Sequence, residues 1–261
     1  MRDKVYFLSD AHLGSGADTL EREKQLCRLL DSIKDDCKTL MLLGDIFDFW
    51  FSYRYLVPRG HVRLLGKLAE LADSGIEIHF FLGNHDMWVF DYLTEEFGAI
   101  VHADPTEMEL YGKRFLIGHG DGLGHIDRWF DFARLFFRSR ICHKLFKMLP
   151  SAFTFGIAHR WSNGNKRKHA KQDRLHYLGD DREGIVIYCK QRLEKEHFDY
   201  FVFGHRHTPL VKEFGGADDA AQSSDKRLNS VYVNTGDWFH QRNYAVFGPD
   251  GVLELKNFDE A

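Results

Sequence analysis

The chain opens with Val5-Tyr6-Phe7-Leu8-Ser9-Asp10-Ala11-His12, a short apolar run that leads into a polar motif. Apolar runs of about four to seven residues bounded by glycine or aspartate are typical of buried strands. Further runs of this kind precede four more motifs: Gly44-Asp45, Gly83-Asn84-His85-Asp86, Gly118-His119 and Gly204-His205-Arg206-His207. The sequence therefore predicts a series of buried strands, each with a polar motif at its carboxyl end.

The segments between these strands predict helices. Apolar residues recur at intervals of three and four over residues 18–33 and again over residues 61–71, as in amphipathic helices. Alternating strands and helices predict an α/β fold, in which ligands bind beyond the carboxyl ends of the strands. A polar loop at 215–229 is followed by three short strands, which we expect to complete a second sheet: 231–235, 244–247 and 252–255.

Residues 122–178 interrupt this alternation and predict a helical insertion, or cap, over the edge of the sheet that carries the motifs. Apolar residues at helical spacing indicate one helix over 126–148, closed by Pro150, and a second over 152–161. From Gly122 to Leu175 there are 12 Lys or Arg residues against three acids, although the whole chain has a net charge of -4. The insertion is therefore a basic segment in a mildly acidic protein, and aromatic residues are interleaved with its basic ones.

The motifs together supply ligands for two metal ions. Two divalent ions about 3.5–4 Å apart can activate water and hold both the attacking and the leaving oxygen of a phosphoryl displacement. We expect Asp45 to bridge the ions and the other ligands to divide between them: Asp10, His12 and His207 at one ion, and Asn84, His119 and His205 at the other. Oxygen and imidazole donors without thiolate suit manganese, iron or zinc. Any one of these motifs alone is more often a helix cap or a surface group, but all of them in this order indicate a hydrolytic metal centre.

His85 is not needed as a ligand, which leaves two interpretations for it. As a catalytic residue it would protonate the leaving oxygen or stabilise charge on phosphorus, with Asp86 fixing its tautomer. Alternatively, it is a structural histidine in a turn.

The motif set resembles that of the calcineurin-like metallophosphoesterase superfamily, which reads D-x-H, GD, GNH[DE], GH and GHxH. The resemblance extends from Asp10 to His207. It implies a four-layer α/β/β/α sandwich formed by a single domain over residues 1–261, with the cap at 122–178 inserted in it. It also implies the ligand assignments made above from the chemistry of the residues.

Within that superfamily, the chain resembles the UDP-2,3-diacylglucosamine pyrophosphatases of lipid A synthesis. The matching segments are FLSDAHLG, LGDIFDFW, GHRHTP and NTGDW, which begin at residues 7, 43, 204 and 234. This resemblance implies cleavage of the diphosphate of a UDP-linked diacyl sugar, with manganese as the metal. Water would attack the phosphorus nearer uridine and release UMP and the lipid sugar phosphate.

One residue departs from that group, whose well-known members have arginine where this chain has His85. Either the same substrate is handled with a different charge-stabilising group, or the substrate differs. The resemblance also implies a set of residues that contact the substrate: Asn84, His85, Asp127, Ser162, Asn163, Lys166 and His205.

The composition indicates which partners and which cellular location to expect for the protein. The near-neutral charge gives no reason to expect nucleic acid as a partner, and no obligate protein partner is evident. Four scattered cysteines without paired spacing favour a reducing compartment, and no secretory or membrane-spanning segment is apparent. The aromatic and basic insertion predicts attachment to an anionic membrane surface. We therefore expect a cytoplasmic protein, peripheral on the inner membrane. The alternative is that the aromatics pack the insertion onto the domain and its charges are merely solvated.

Three functions are consistent with these features. The first is a pyrophosphatase for a lipid-linked nucleotide sugar. The second is a generic phosphodiesterase or phosphatase acting on soluble nucleotides or phosphoproteins, which His85 favours. The third is a binding module with a decayed metal site, and competent residues at every ligand position argue against it.

Overall fold

The computed structural model describes residues 1–124, 136–137, 139–150, 154, 156, 177–215 and 229–258. Four of the predicted substrate contacts lie outside the described residues: Asp127, Ser162, Asn163 and Lys166. Most of the helix predicted over 152–161 also lies outside them.

The described strands form two sheets. In chain order the strands are β1 Lys4–Leu8, β2 Cys37–Leu42, β3 Glu77–Phe81, β4 Ile100–His102, β5 Thr106–Leu110, β6 Lys113–Gly118, β7 Tyr200–Phe203, β8 Pro209–Phe214, β9 Ser230–Thr235, β10 Asn243–Phe247 and β11 Leu253–Asn257. One sheet has the order β11-β10-β1-β2-β3-β4 and the other β5-β6-β7-β9-β8. The central strands β1 to β4 are parallel, as are β6, β7 and β9, and antiparallel strands flank both groups.

Five described helices join these strands: α1 Thr19–Ile33, α2 Val62–Asp73, α3 Tyr92–Phe97, α4 Arg140–Met148 and α5 Gly184–Leu193. The predicted helices at 18–33 and 61–71 are confirmed as α1 and α2. Both pack on the outer face of the first sheet through apolar side chains such as Leu26 and Leu68. Ile185 and Cys189 of α5 pack on the outer face of the second sheet.

The inner faces of the two sheets pack against each other. Side chains alternate along a strand, so Phe7 points to the core between the sheets while Tyr6 and Leu8 point to the helical layer. Phe7 stacks there on Phe115 of the second sheet, with ring centroids 6.2 Å apart. Helix, sheet, sheet and helix therefore form the predicted four-layer α/β/β/α sandwich.

The prediction for the last three strands was wrong in part. β9 joins the second sheet as expected, but β10 pairs with β1 in the first sheet, and β11 pairs with β10. The reason is that β10 is apolar on both faces. Phe247 contributes to the core between the sheets and Val246 to the core under the helices. Such a strand fits beside β1, which is itself buried on both sides.

The insertion contributes α4 to the described structure. The single helix predicted over 126–148 was wrong at Ser139, which has an extended backbone and whose Oγ accepts a hydrogen bond from the Cys142 N–H at 3.1 Å. A serine in this position starts a new helix. The predicted end is confirmed, since α4 stops at Met148 and the residue before Pro150 is extended.

The start of the predicted insertion lies beside the start of α5. Gly124 is so close to the start of α5 that a Cβ on it would lie 2.6 Å from the carbonyl carbon of Gly184. Only glycine fits a backbone approach of this kind.

Candidate metal centre

The polar motifs meet at the carboxyl ends of β1, β2, β3, β6 and β7, as predicted. Each of these strands ends within three residues of its first ligand. Because parallel strands end at the same edge, segments far apart in the chain are brought together there. For example, the Asp10 N–H donates to the Gly44 carbonyl at 3.1 Å, and the Gly204 N–H donates to the His119 carbonyl at 2.9 Å.

Asp10, His12 and His207 form the first group of donor atoms. Asp10 Oδ1 lies 3.4 Å from His207 Nε2 and 3.8 Å from His12 Nε2, and the two histidine nitrogens are 3.4 Å apart. Donors that surround one ion tetrahedrally at 2.0–2.2 Å are themselves about 3.4 Å apart. The spacing of this group therefore fits one metal ion.

Asp45, His119 and His205 form the second group, to which Asn84 adds an oxygen. His119 Nε2 lies 3.4 Å from both Asp45 Oδ2 and Asn84 Oδ1, and 3.2 Å from His205 Nδ1. Asp45 Oδ2 is also 3.8 Å from His12 Nε2 of the first group. One carboxylate oxygen thus lies between the two groups, where a bridging ligand belongs.

The second oxygen of each carboxylate, Asp10 Oδ2 and Asp45 Oδ1, accepts hydrogen bonds from the protein. Asp10 Oδ2 accepts hydrogen bonds from the Ser9 hydroxyl and from the His205 N–H, the latter at 2.8 Å. Asp45 Oδ1 accepts from the His85 N–H at 2.8 Å. Asp10 Oδ1, by contrast, is buried and has no hydrogen-bond partner among the described residues. A buried carboxylate oxygen of this kind needs a cation, so the residues present fit a metal ion.

The backbone is held in unusual conformations at these ligands. Positive φ angles, which residues other than glycine seldom adopt, occur at Asp10, His12, Asp45, His205 and His207, with values between 42° and 68°. Strain of this kind persists where the surrounding structure enforces it, and it concentrates at functional sites. Here it turns consecutive ligands toward one point.

Two glycines make room for the carboxylates. A Cβ on Gly83 would lie 2.9 Å from the Asp45 carboxyl carbon, and a Cβ on Gly204 would lie 2.6 Å from Asp10 Oδ2. Any larger residue would push the carboxylates out of place.

The electrostatics of the cluster favour cations. Burial by itself raises the pKa of a carboxyl group, but the neighbouring histidines, His207 foremost, hold the pKa of Asp10 at about 2. His119 likewise keeps the pKa of Asp45 well below its usual value. Burial lowers the pKa of His205 to about 3, so this imidazole is neutral, as a metal ligand must be. Two ionised, buried carboxylates therefore attract positive charge, which protonated histidines or metal ions can supply.

Two hydrogen bonds and one ion-pair contact orient histidines of the donor groups, and these three partners were not predicted. His119 Nδ1 donates to the Leu43 carbonyl at 2.8 Å, and His207 Nδ1 faces Asp237 Oδ2 at 3.2 Å. The carboxylate of Asp48 lies 3.6 Å from His12 Nδ1. Such partners fix which nitrogen faces the metal. Asp237 falls within the NTGDW segment and Asp48 within LGDIFDFW, so both were visible as motif residues without a role.

The predicted role of Asp86 was wrong. Its buried carboxylate does not contact the His85 ring but accepts hydrogen bonds from four backbone N–H groups, which belong to Asp45, Ile46, Phe47 and Gly83 at 2.8–3.3 Å. The carboxylate therefore ties the loop after β3 to the loop after β2. Asp86 thus supports the backbone around Asp45.

His85 is oriented by Asp48. Its Nδ1 donates to the Asp48 carbonyl at 2.8 Å, which leaves Nε2 free for another partner. The His85 ring packs edge-on against His12 at 4.7 Å and, with His12 and Asp45, offers ligand atoms that all lie within 4.8 Å of one another. His85 therefore lies at the metal centre, together with the other two predicted substrate contacts that the structure describes, Asn84 and His205.

This fold and this centre define a class of protein. The sequence profile of the calcineurin-like phosphoesterases matches residues 3–209, which include every residue of both donor groups. The chain belongs to this family, and it is a hydrolase with a site for divalent metal.

Relatives whose names give a particular substrate align with nearly the whole chain. A UDP-2,3-diacylglucosamine hydrolase from Porphyromonas gingivalis is 41% identical, over 97% of this chain and 98% of its own. A UDP-2,3-diacylglucosamine hydrolase from Shewanella sp. (strain MR-4) is 26% identical, over 97% of each chain. Among solved structures, Yfce, a phosphoesterase from E. coli, aligns with 98% of this chain at 15% identity and a TM-score of 0.44.

Substitution of one predicted ligand should empty one metal position and leave the other occupied. We expect His119→Ala to lower the bound manganese from about two ions per chain to about one, and to reduce hydrolysis at least about a hundredfold, because both ions take part in the displacement. Metal content measured by mass spectrometry and rates on an aryl phosphodiester test this.

The matched control is His197→Ala, since His197 precedes β7 and lies outside the donor groups. It should keep both ions and the full rate. A His119→Ala protein with normal metal content would show that the second group is assigned incorrectly.

Proposed function

We propose that the protein hydrolyses the diphosphate of UDP-2,3-diacylglucosamine to UMP and 2,3-diacylglucosamine 1-phosphate. The observation that carries this proposal is the 41% identity to the hydrolase from Porphyromonas gingivalis over essentially the full length of both chains. The similarity includes the insertion as well as the metal centre, so it extends to the segment in which a lipid substrate would be recognised.

The chain's own residues provide for two ions. The first would be held by Asp10, His12 and His207, the second by Asn84, His119 and His205, with Asp45 shared. When bound, divalent ions supply an activated water and neutralise charge on the phosphate. Manganese is the ion that we propose, with iron or zinc as alternatives, because the donors are oxygen and imidazole without thiolate.

Substrate would be positioned by the residues that border the donor groups. His85 presents Nε2 beside His12, while its Nδ1 is held by the Asp48 carbonyl. Its side chain is 21% exposed, so a phosphate oxygen can reach the ring. Protonated at Nε2 as well as at Nδ1, His85 would then stabilise charge on the reacting phosphate, with Asn84 and His205 beside it.

The substrate can be tested with a panel of three esters. We expect the manganese-loaded protein to hydrolyse UDP-2,3-diacylglucosamine with a kcat/KM at least about a hundredfold above that for UDP-N-acetylglucosamine, because binding energy from the acyl chains adds to that from the diphosphate. An aryl phosphodiester reports on the metal centre alone. Release of UMP is measured for the two UDP-linked sugars. Release of nitrophenol is measured for the aryl phosphodiester, a nitrophenyl ester.

Equal rates on the lipid and on UDP-N-acetylglucosamine would contradict the proposed substrate and favour a phosphodiesterase for soluble nucleotides. No turnover of any of the three esters would instead favour a binding module.

We also infer that the protein acts at an anionic membrane surface, on the cytoplasmic side of the inner membrane. The observation behind this is α4, on which Ile141, Leu145 and Met148 are 70%, 56% and 81% exposed. Lys144 and Lys147 are exposed on the same helix. Apolar and basic side chains together are typical of helices that lie on anionic membranes. None of the described helices has the length and apolarity needed to cross a membrane.

Membrane attachment can be measured with vesicles that contain anionic lipid. We expect the double substitution Lys144→Ser and Lys147→Ser to weaken binding about thirtyfold at low salt, since each lysine near such a surface contributes roughly 1 kcal/mol. Lys38→Ser with Lys256→Ser is a matched control, because both lysines are exposed on strands rather than on α4. Equal vesicle binding by the two double variants would contradict the inference.

A further inference from the structure

Helix α4 of the insertion is packed against the loops that follow Asp45 and Asn84. The contact is an aromatic cluster whose members come from three segments: Phe49, Phe51 and Tyr53 after β2, Met87, Trp88 and Phe90 after β3, and Phe137, Cys142 and Phe146 of the insertion. The insertion therefore rests on the same loops that carry metal ligands.

Trp88 is at the centre of this cluster and is 5% exposed. Its indole N–H donates to the Phe137 carbonyl at 2.8 Å. Its ring lies 4.7 Å from the Phe146 ring and 5.4 Å from the Phe51 ring. One side chain of the motif loop thus holds the insertion through both a partly buried hydrogen bond and aromatic packing.

The same loop connects Trp88 firmly to the metal centre. Trp88 comes three residues after His85 in the sequence. Its carbonyl accepts a hydrogen bond from the Ser52 N–H at 3.1 Å, and the His85 carbonyl accepts one from the Trp50 N–H at 3.4 Å. The two loops therefore form one unit, and the position of α4 is defined relative to His85.

The faces of α4 show what this position achieves. Cys142 and Phe146 face the aromatic cluster, whereas Ile141 and Leu145 are exposed. Residues four apart lie on one side of a helix, so the exposed residues form an apolar row directed away from the loops. A substrate with a diphosphate at one end and acyl chains at the other needs such a row at a fixed distance from the metal centre.

We propose that Trp88 is a positioning residue that selects for the lipid-linked substrate by fixing α4 relative to the metal centre. The inference rests on the proposed function. Trp88 itself need not touch the substrate, because its effect passes through Phe137 and Phe146 to the insertion. Loss of its hydrogen bond should therefore weaken recognition of the lipid and leave the chemistry at the metals intact.

The test compares Trp88→Phe with Trp50→Phe, both manganese-loaded. Each removes one indole hydrogen bond from the same pair of loops, but Trp50 donates to Ser52 Oγ at 2.9 Å and packs in the core under the helices instead of on the insertion. We expect Trp88→Phe to lower kcat/KM for UDP-2,3-diacylglucosamine about tenfold, mainly through KM, because the hydrogen bond that joins the motif loop to Phe137 is lost. Its rate on the aryl phosphodiester should change less than about twofold.

Trp50→Phe should affect both substrates by the same factor. Phe146→Leu, which removes the ring that packs on Trp88, should reproduce the loss on the lipid alone and covers the case in which Trp88→Phe folds poorly. Equal losses on both substrates for Trp88→Phe and Phe146→Leu, or no loss on the lipid, would overturn the inference. If the wild type does not hydrolyse the lipid at all, the proposed function fails, and with it the substrate on which the inference is built.

Discussion

The carboxylate of Asp45 is the constraint around which the site is built. Its Oδ1 accepts the His85 N–H, while its Oδ2 lies 3.4 Å from His119 Nε2 and 3.8 Å from His12 Nε2. An ionised group that is 2% exposed needs compensation on every side. The left-handed backbone of Asp45, the absence of a side chain at Gly83 and the buried Asp86 carboxylate all serve to keep this one group between two sets of imidazoles.

The sequence was sufficient to predict which donor side chains lie together at the edge of the sheets. The reason is that parallel strands bring their carboxyl ends to one edge, so a motif located at the end of a strand is also located in space. The division of the donors between two groups was predicted from their chemistry, and the structure brings together the predicted neighbours. Helices α1 and α2 were predictable because each has one apolar face toward the first sheet.

What could not be predicted depends on contacts between segments remote in the chain. His85 binds the Asp48 carbonyl, and Asp86 binds the backbone of the Asp45 loop, although simple adjacency had suggested that Asp86 would serve His85. β10 joins β1 across almost the whole length of the chain. Such pairings depend on the register between strands and on the orientation of individual peptide groups. A local pattern of apolar and polar residues does not specify either. The contact of α4 with Trp88 is of the same kind, and it links the insertion to the chemistry.

Electron paramagnetic resonance of the manganese-loaded protein tests directly whether two ions share Asp45. Two ions joined by one carboxylate oxygen are separated by about 3.5–4 Å and should couple magnetically. We predict a spectrum of an exchange-coupled pair in the wild type, and the spectrum of isolated ions in Asp45→Asn. A wild-type spectrum of isolated manganese at full loading would contradict the bridged centre.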